Sequence, residues 1–299
     1  MIRKIIASAA LLALVIGSIV IAVAHNNQGV VKAGTVRVVA SYYPLYDFAR
    51  QVGGNKVTVT NITPAGAEPH DYEPSPKVLA DAQKASVFVY NGGHLELWAS
   101  GFLAGYHHTA VKASQGVNLQ TAANDVDPHF WLDPVLAVRI VDNIRDGLAQ
   151  ADPVNKSYYF ANAAVYVSKL GKLDNDFQSG LATCQTRTII TSHAAFGYLA
   201  KRYNLDVVPI AGLTPDQEPS AAKLAELTQL VQDKGIKYVF FERLASPRLA
   251  DTIASETGAK TLVFDPLEGL SEADQKQGKD YLSVQRENLN NLRIALACK

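Results

Sequence analysis

Bulk charge of one sign is missing from this chain. Lysine and arginine number 28 and aspartate and glutamate 28, so the formal net charge is zero. No run of like charges forms a basic or acidic tail, and nothing asks for a nucleic acid or another partner recognised by a broad field. Cysteine is almost absent. Cys184 and Cys298 are the only two, and neither lies near the N-terminus, which excludes a lipid-modified cysteine there. Compact metal signatures of the HExxH or CxxC kind are missing as well, so no single short segment specifies a site. What remains is an ordinary globular composition, 48% apolar and 19% charged. The 299 residues suffice for two domains on a prior of ~100–200 residues each.

Arg3 and Lys4 precede an uncharged stretch running from Ile5 to Ala24, the pattern of an export signal. Ala22-Val23-Ala24 offers small residues for cleavage. The stretch exceeds the ~7–15 residues of a signal's apolar core and approaches the ~20 of a spanning helix, so an uncleaved N-terminal anchor stands as the alternative. Either reading puts the body of the protein in a periplasmic or extracytoplasmic location. In an exported protein the two cysteines are most simply one disulfide, tying the start of a strand to the end of the last helix. Two buried thiols, or a soft metal site, are the competing readings.

Beyond a signal or anchor plus linker at 1–34, apolar strands alternate with amphipathic helices. Val36–Ala40 and Val87–Tyr90 read as short buried strands, and 56–62 as an alternating one. Helices follow near 43–52, 76–85 and 94–104, and a polar stretch leads to Asp127-Pro128-His129-Phe130-Trp131-Leu132-Asp133-Pro134. There Asp133 can N-cap a helix whose Leu136, Ile140, Val141, Ile144 and Leu148 recur at helical spacing. From 155 to about 181, Tyr159, Ala163, Tyr166, Leu170, Leu173 and Phe177 alternate at steps of four and three, which predicts one long helix without proline. The second half repeats the grammar, with strands near 188–191, 206–210, 238–241 and 261–264 and helices between and after them. The expected fold is α/β: an N-terminal lobe at 35–153, a linking helix at 154–182 and a C-terminal lobe at 183–299, each lobe a parallel sheet flanked by helices.

Ligands of open α/β sheets sit beyond the carboxyl ends of the strands. His193 and Asp265 each fall just past an apolar strand, and His70 and His129 lie in loops of the first lobe. Three imidazoles and one carboxylate, two from each lobe, would make an N3O set suited to Zn(II), while Mg(II) or Ca(II) would prefer oxygens and Mn(II) would tolerate the set less well. Each position also has a bland reading. Asp265 before Pro266 serves a strand-end turn, His193 caps the helix after it, His70 is solvated in its loop, and His129 is hydrogen-bonded inside a turn.

Several motifs in order settle on a family. Gly66-Ala67-Glu68-Pro69-His70-Asp71-Tyr72-Glu73-Pro74, the Asp127–Pro134 motif, Ser192-His193-Ala194-Ala195-Phe196 and Phe264-Asp265-Pro266-Leu267 are the main pieces, with Glu218-Pro219-Ser220 and Phe241-Glu242 beside them. Over about 36–297 the chain resembles the periplasmic metal-binding proteins of zinc and manganese ABC importers, the cluster A-I receptors whose lobes are joined by a rigid helix. The resemblance implies a monomeric, non-enzymatic receptor that hands a metal to a membrane permease driven by an ATPase. It makes His70, His129, His193 and Asp265 the metal ligands. The third position varies in that family between histidine and carboxylate, and His193 is the form that leans towards zinc. Manganese or iron(II) cargo is the alternative within the same role. A zinc hydrolase fits less well, because Asp265 would fill the position that catalysis needs open and no general base stands out. A surface adhesin would not need ligands converging from two lobes.

One departure is that the long His- and acid-rich loop of many zinc-specific relatives is missing between His70 and His129. Only His94, His107 and His108 fall there, and the His107-His108 pair reads as either an auxiliary capture site or a surface feature. Glu68 is expected to orient His70 or remain solvated, and Tyr42, Trp131 and Phe196 to wall the pocket.

Overall fold

The structure is a computed structural model and describes residues 35–122 and 125–299. The signal or anchor and linker expected at 1–34 lie outside the described residues. β1, Val36–Ala40, is apolar apart from Arg37 near its start and buried at its last three positions, as a strand covered by helices on each side must be. α1, Tyr43–Gly53, starts with Pro44 in its first turn, where proline's missing N–H costs nothing. β2, Val57–Asn61, runs parallel to β1, with Val36 opposite Val57 and Ala40 opposite Asn61. α2, Pro76–Ala82, is N-capped by Ser75, whose hydroxyl accepts from the Val78 amide. β3, Val87–Tyr90, pairs with the other side of β1, and after α3, Ala99–Ala104, β4, Thr109–Lys112, closes the edge. A two-stranded antiparallel pair, β5 (Thr121–Ala122) with β6 (Asp125–Val126), leads to the Asp127 motif.

The motif itself contains a short 3-10 turn, Phe130–Leu132, before α4, Pro134–Ala151. Asp133 caps α4 by accepting from the Val135 amide at 2.8 Å. α5, Lys156–Gly180, has 25 residues, about 37 Å at the usual rise per residue. Its buried residues are Tyr159, Ala163, Tyr166, Leu170, Leu173 and Phe177, the stripe that the sequence spacing predicts.

The second half consists of β7 (Thr188–Thr191), α6 (Gly197–Tyr203), β8 (Asp206–Pro209), α7 (Ala221–Asp233), β9 (Tyr238–Phe241), α8 (Arg248–Thr257), β10 (Lys260–Val263), α9 (Glu272–Lys276) and α10 (Tyr281–Ala295). Its parallel sheet has the order β10-β9-β7-β8, and the first sheet the order β2-β1-β3-β4. Numbered from its own first strand, each half is therefore 2-1-3-4. The repeat exists in topology without any residue-level repeat in the sequence. In both sheets the chain reverses direction of travel between the first and third strands, the switch point where an α/β sheet opens a crevice.

One hydrophobic core runs through both halves, from Val38 and Phe48 through Trp131, Tyr159 and Phe177 to Ile189, Tyr281 and Leu292. The Cys184–Cys298 disulfide joins the approach to β7 to the segment after α10.

Several elements differ from the sequence reading: the β5–β6 pair and α9 were not expected, α6 begins at Gly197 and not at Ala194, and two further differences have a visible cause. The helix expected over 94–104 begins only at Ala99, because Gly92, Gly93 and His94 take left-handed backbone with φ of 74°, 70° and 70°. The buried Glu96 carboxylate then holds this turn by accepting the Asn91 amide at 2.7 Å and the Gly92 amide at 3.2 Å. β4 hides in what the sequence presents as a polar stretch: it is a sheet edge with exposed Ala110 and Lys112 around a buried Val111.

Candidate metal centre

Three histidines arrive from three different connections. His70 sits in the loop between β2 and α2, where Pro69 precedes it, Gly66 supplies a φ of 80°, and the Gly66 amide donates to the Leu270 carbonyl at 3.1 Å, tying the loop to the second half. His129 is held by a local carboxylate turn. Asp127 Oδ1 accepts the His129 amide at 2.9 Å and lies 2.8 Å from His129 Nδ1. The flanking backbone is pinned as well: Asn91 donates to the Pro128 carbonyl at 2.9 Å and Tyr198 to the Asp127 carbonyl at 2.9 Å. His193 lies two residues past β7, and its Nδ1 is 2.6 Å from Glu242, the first residue past β9. Carboxylates on the Nδ1 side of His129 and His193 fix the rings and leave each Nε2 facing the other donors, available to coordinate a metal.

The fourth donor expected from the sequence, Asp265, does not reach this group. Its Oδ1 accepts the Leu267 amide at 2.8 Å, and its Oδ2 accepts from Arg243 Nη1 at 2.6 Å. Both oxygens are engaged in shaping the turn after β10. Asn288 clamps the same residue from α10, accepting the Asp265 amide at 2.9 Å and donating to its carbonyl at 2.7 Å. The turn passes through Leu267 in left-handed backbone, φ 59°, and delivers Glu268 to the histidines instead.

The resulting group is His70, His129, His193 and Glu268. His129 Nε2 lies 3.1 Å from His70 Nε2, 3.3 Å from His193 Nε2 and 3.1 Å from Glu268 Oε1. Glu268 Oε1 is 3.3 Å from both His70 Nε2 and His193 Nε2. A tetrahedron with zinc–ligand bonds of ~2.0–2.1 Å has edges of about 3.3 Å. Five of the six separations among the four donors are thus those that one tetrahedral zinc ion requires, and all four donor atoms lie within 4.8 Å of one another. Hard cations of larger radius and higher coordination number match neither the donor set nor the spacing.

Burial and charge give the same description. The His129, His193 and Glu268 side chains are 0–1% exposed and that of His70 is 6%. Burial pushes the Glu268 carboxyl up, but His193, His129 and His70 around it win and hold it well below the usual range. Burial favours neutral His193, yet Glu242 and Glu268 hold its proton well above the ordinary value; burial likewise favours neutral His129, yet Asp127 with Glu268 raises its value. The Oε2 atoms of Glu268 and Glu68 are buried with no hydrogen-bond partner among the described residues. An orphaned carboxylate oxygen beside three inward-facing imidazoles is what a site built around a cation leaves behind. Glu68 accepts the His70 amide at 3.2 Å, and burial together with the Glu268 charge pushes its carboxyl far up, towards the neutral acid.

The walls are partly as expected. Trp131 packs on His129 with ring centroids 5.1 Å apart and donates to the Pro266 carbonyl at 2.8 Å. Tyr42 backs Trp131 edge-on at 4.9 Å. Phe196 stacks on Phe264 at 3.8 Å, beneath the turn that carries Glu268. Outside the group, exposed His94 meets exposed Asp125 at 3.2 Å, and His108 packs on Tyr106. Neither His94, His107 nor His108 joins a metal-competent cluster among the described residues. Glu268 was legible in one respect: it is a lone acid among Leu267, Gly269 and Leu270, and an acid in an apolar run needs a partner to be buried.

Comparison with known proteins agrees with the fold. The family model described as zinc-uptake complex component A, periplasmic, matches residues 38–295. The chain is 41% identical over 286 residues to the high-affinity zinc uptake system protein ZnuA of Bacillus subtilis, covering 90% of each chain. It is 39% identical over 292 residues to the zinc-binding protein AdcA of Streptococcus pyogenes, covering 89% of this chain but 57% of that one, so it spans little more than half of that relative's length. Among solved structures, the Zn(II)-bound ZnuA-like domain of AdcA from Streptococcus pneumoniae superposes with a TM-score of 0.80 at 42% identity, covering 88% of this chain and 99% of the domain. Two parallel sheets in the same frame, joined by the same long helix, place the chain in the zinc-uptake component A family of solute-binding proteins, which are receptors and not enzymes.

Proposed function

We propose that the protein captures Zn(II) outside the cytoplasmic membrane on His70, His129, His193 and Glu268 and delivers it to the permease of an ABC importer powered by a cytoplasmic ATPase. The observation that carries this reading is the closed N3O set, in which His129 Nε2 and Glu268 Oε1 each lie 3.1–3.3 Å from the other three donors. A protein-filled tetrahedron leaves no position for a reactive water, which suits carriage and not hydrolysis. Three imidazoles with one carboxylate favour zinc over manganese. The relatives' names as zinc uptake and zinc-binding proteins support the same cargo. Export by the N-terminal signal or anchor and a monomeric receptor belong to this reading. A cavity of about 400 Å³ lined by His70, Tyr72, Leu95, Leu97 and Trp98, with Asp71 and Glu73 beside them, gives the ion an approach on the His70 side.

The test is metal content by mass spectrometry after exposure to equimolar Zn(II) and Mn(II). One tightly held zinc per chain, lost in Glu268→Gln, is expected. Preferential retention of manganese would overturn the cargo, and no stoichiometric metal would overturn the receptor role.

A further inference from the structure

A second cavity, of about 650 Å³, shares no residue with the metal centre. It opens between α1, which contributes Tyr43, Tyr46, Asp47 and Arg50, and the link from α9 to α10, which contributes Lys279 and Asp280. Its volume falls within the ~300–1,000 Å³ usual for small-molecule sites.

The inner wall holds a carboxylate that the protein does not fully satisfy. Asp47 is 4% exposed, yet among the described residues it receives only the Gln51 amide, the Tyr166 hydroxyl and the Tyr281 backbone N–H, each at 3.4 Å. Good hydrogen bonds to oxygen cluster near ~2.9 Å, and an ionised carboxylate offers about four acceptor sites. Asp280 adds a second carboxylate, one oxygen of which accepts the Ser283 amide at 2.7 Å. Towards solvent the sign reverses. Arg50, one turn along α1 from Asp47, is exposed and lies 5.4 Å over the Tyr46 ring, and it makes no ion pair among the described residues. Lys279, by contrast, is committed to Asp274 at 3.0 Å and Glu287 at 3.1 Å.

We propose that this cavity binds a free α-amino acid as its zwitterion, with the ammonium group at Asp47 and Asp280 and the carboxylate on Arg50. An ammonium supplies three donors to an inner end that lacks them, and a guanidinium takes a carboxylate in a two-pronged pair. Positions three apart on a helix stand ~5–6 Å apart at Cβ, a spacing that a molecule with both charges on one carbon can bridge. The Tyr43 and Tyr46 rings flank the remaining space for a side chain. A simple anion would face two carboxylates, and a bare metal ion would face a guanidinium, so neither fits the whole lining.

The experiment is calorimetric titration of the zinc-loaded full chain with glycine, L-alanine, L-phenylalanine, L-glutamate and L-lysine, together with the N-acetyl and methyl ester forms of each. Saturable binding of at least one free amino acid at millimolar or lower concentration is expected. Affinity should fall at least about tenfold when either charge is masked, and as much in Arg50→Gln, which alters an exposed side chain and leaves zinc affinity unchanged. Asp47→Asn should weaken the free amino acid and leave its N-acetyl form unaffected. Absence of saturable binding by any of the five, equal binding of the masked forms, or undiminished binding in Arg50→Gln would each overturn the proposal.

Discussion

Asp265 accepts the amide proton of Leu267 at 2.8 Å, and this bond turns the chain so that Glu268, three residues on, faces the three histidines. The two acids divide the work of one short segment. Asp265 is a turn-former whose other oxygen is held by Arg243. Glu268 is buried at 1% exposure with one oxygen at the centre of the cluster and the other without a hydrogen-bond partner among the described residues.

That division predicts opposite outcomes for two isosteric changes. Glu268→Gln removes the only anionic donor and should weaken zinc binding by more than about 100-fold, beyond what losing an outer partner costs. Asp265→Asn keeps an acceptor for the Leu267 amide and should shift zinc affinity by less than about tenfold. Competition against a chelating dye measures both. The reverse ranking would return the fourth position to Asp265.

Asp127 and Glu242 hold the Nδ1 sides of His129 and His193 at 2.8 and 2.6 Å. Glu242→Gln should therefore reduce zinc affinity by about 10–100-fold while leaving the fold intact, because the ring loses the charge that fixes its orientation and raises its basicity. Unchanged zinc affinity with a changed melting temperature would reduce Glu242 to a packing role.

The three histidines were readable because each stands beside a strong local signal: a proline-rich loop, an Asp-Pro pair before a capped helix, and the end of an apolar strand. Glu268, the fourth member of the cluster, was not singled out, since its delivery depends on a left-handed Leu267, a conformation that a leucine's side chain disfavours and that sits beside the Asp265, Asn288 and Arg243 contacts. The linking helix was legible from its stripe of Tyr159 to Phe177, which tertiary packing then buries. The late start of α3 was not, because Leu95, Glu96 and Trp98 look helical until Gly92, Gly93 and His94 commit to left-handed backbone. The identical 2-1-3-4 order of the two sheets is likewise invisible to residue comparison. It is set by crossover packing and not by any shared motif.

The disulfide closes a loop of 114 positions between Cys184 and Cys298, and neither cysteine belongs to the His70, His129, His193 and Glu268 group. Cross-linking so long a loop restricts the unfolded chain, and its removal typically costs about 2–5 kcal/mol. The Cys184→Ser, Cys298→Ser double variant should thus melt at a lower temperature and still bind zinc with wild-type affinity. Loss of zinc binding in a variant that remains folded would tie the disulfide to the site.

Asp47 carries a pH signature. Burial raises its carboxyl above the ordinary value, with the Asp280 charge adding to the rise and the Gln51 contact opposing it. In the unfolded chain the group titrates near ~3.9. Below that pH both states hold the proton and burial of the carboxyl costs no charge. As pH rises, the unfolded state releases its proton first, the native state binds more protons, and stability must fall until the raised native value is passed. Asp47→Asn has no such transition and keeps an oxygen to accept from Tyr166 and Tyr281. The melting temperature of the variant minus that of the wild type should therefore be smallest near pH ~4 and grow in the variant's favour towards neutrality. Thermal unfolding of both proteins across that range, at one fixed zinc concentration, cancels the contributions that the two share. A difference that stays flat, or that widens on acidification, would mean that Asp47 is fully compensated in the native state.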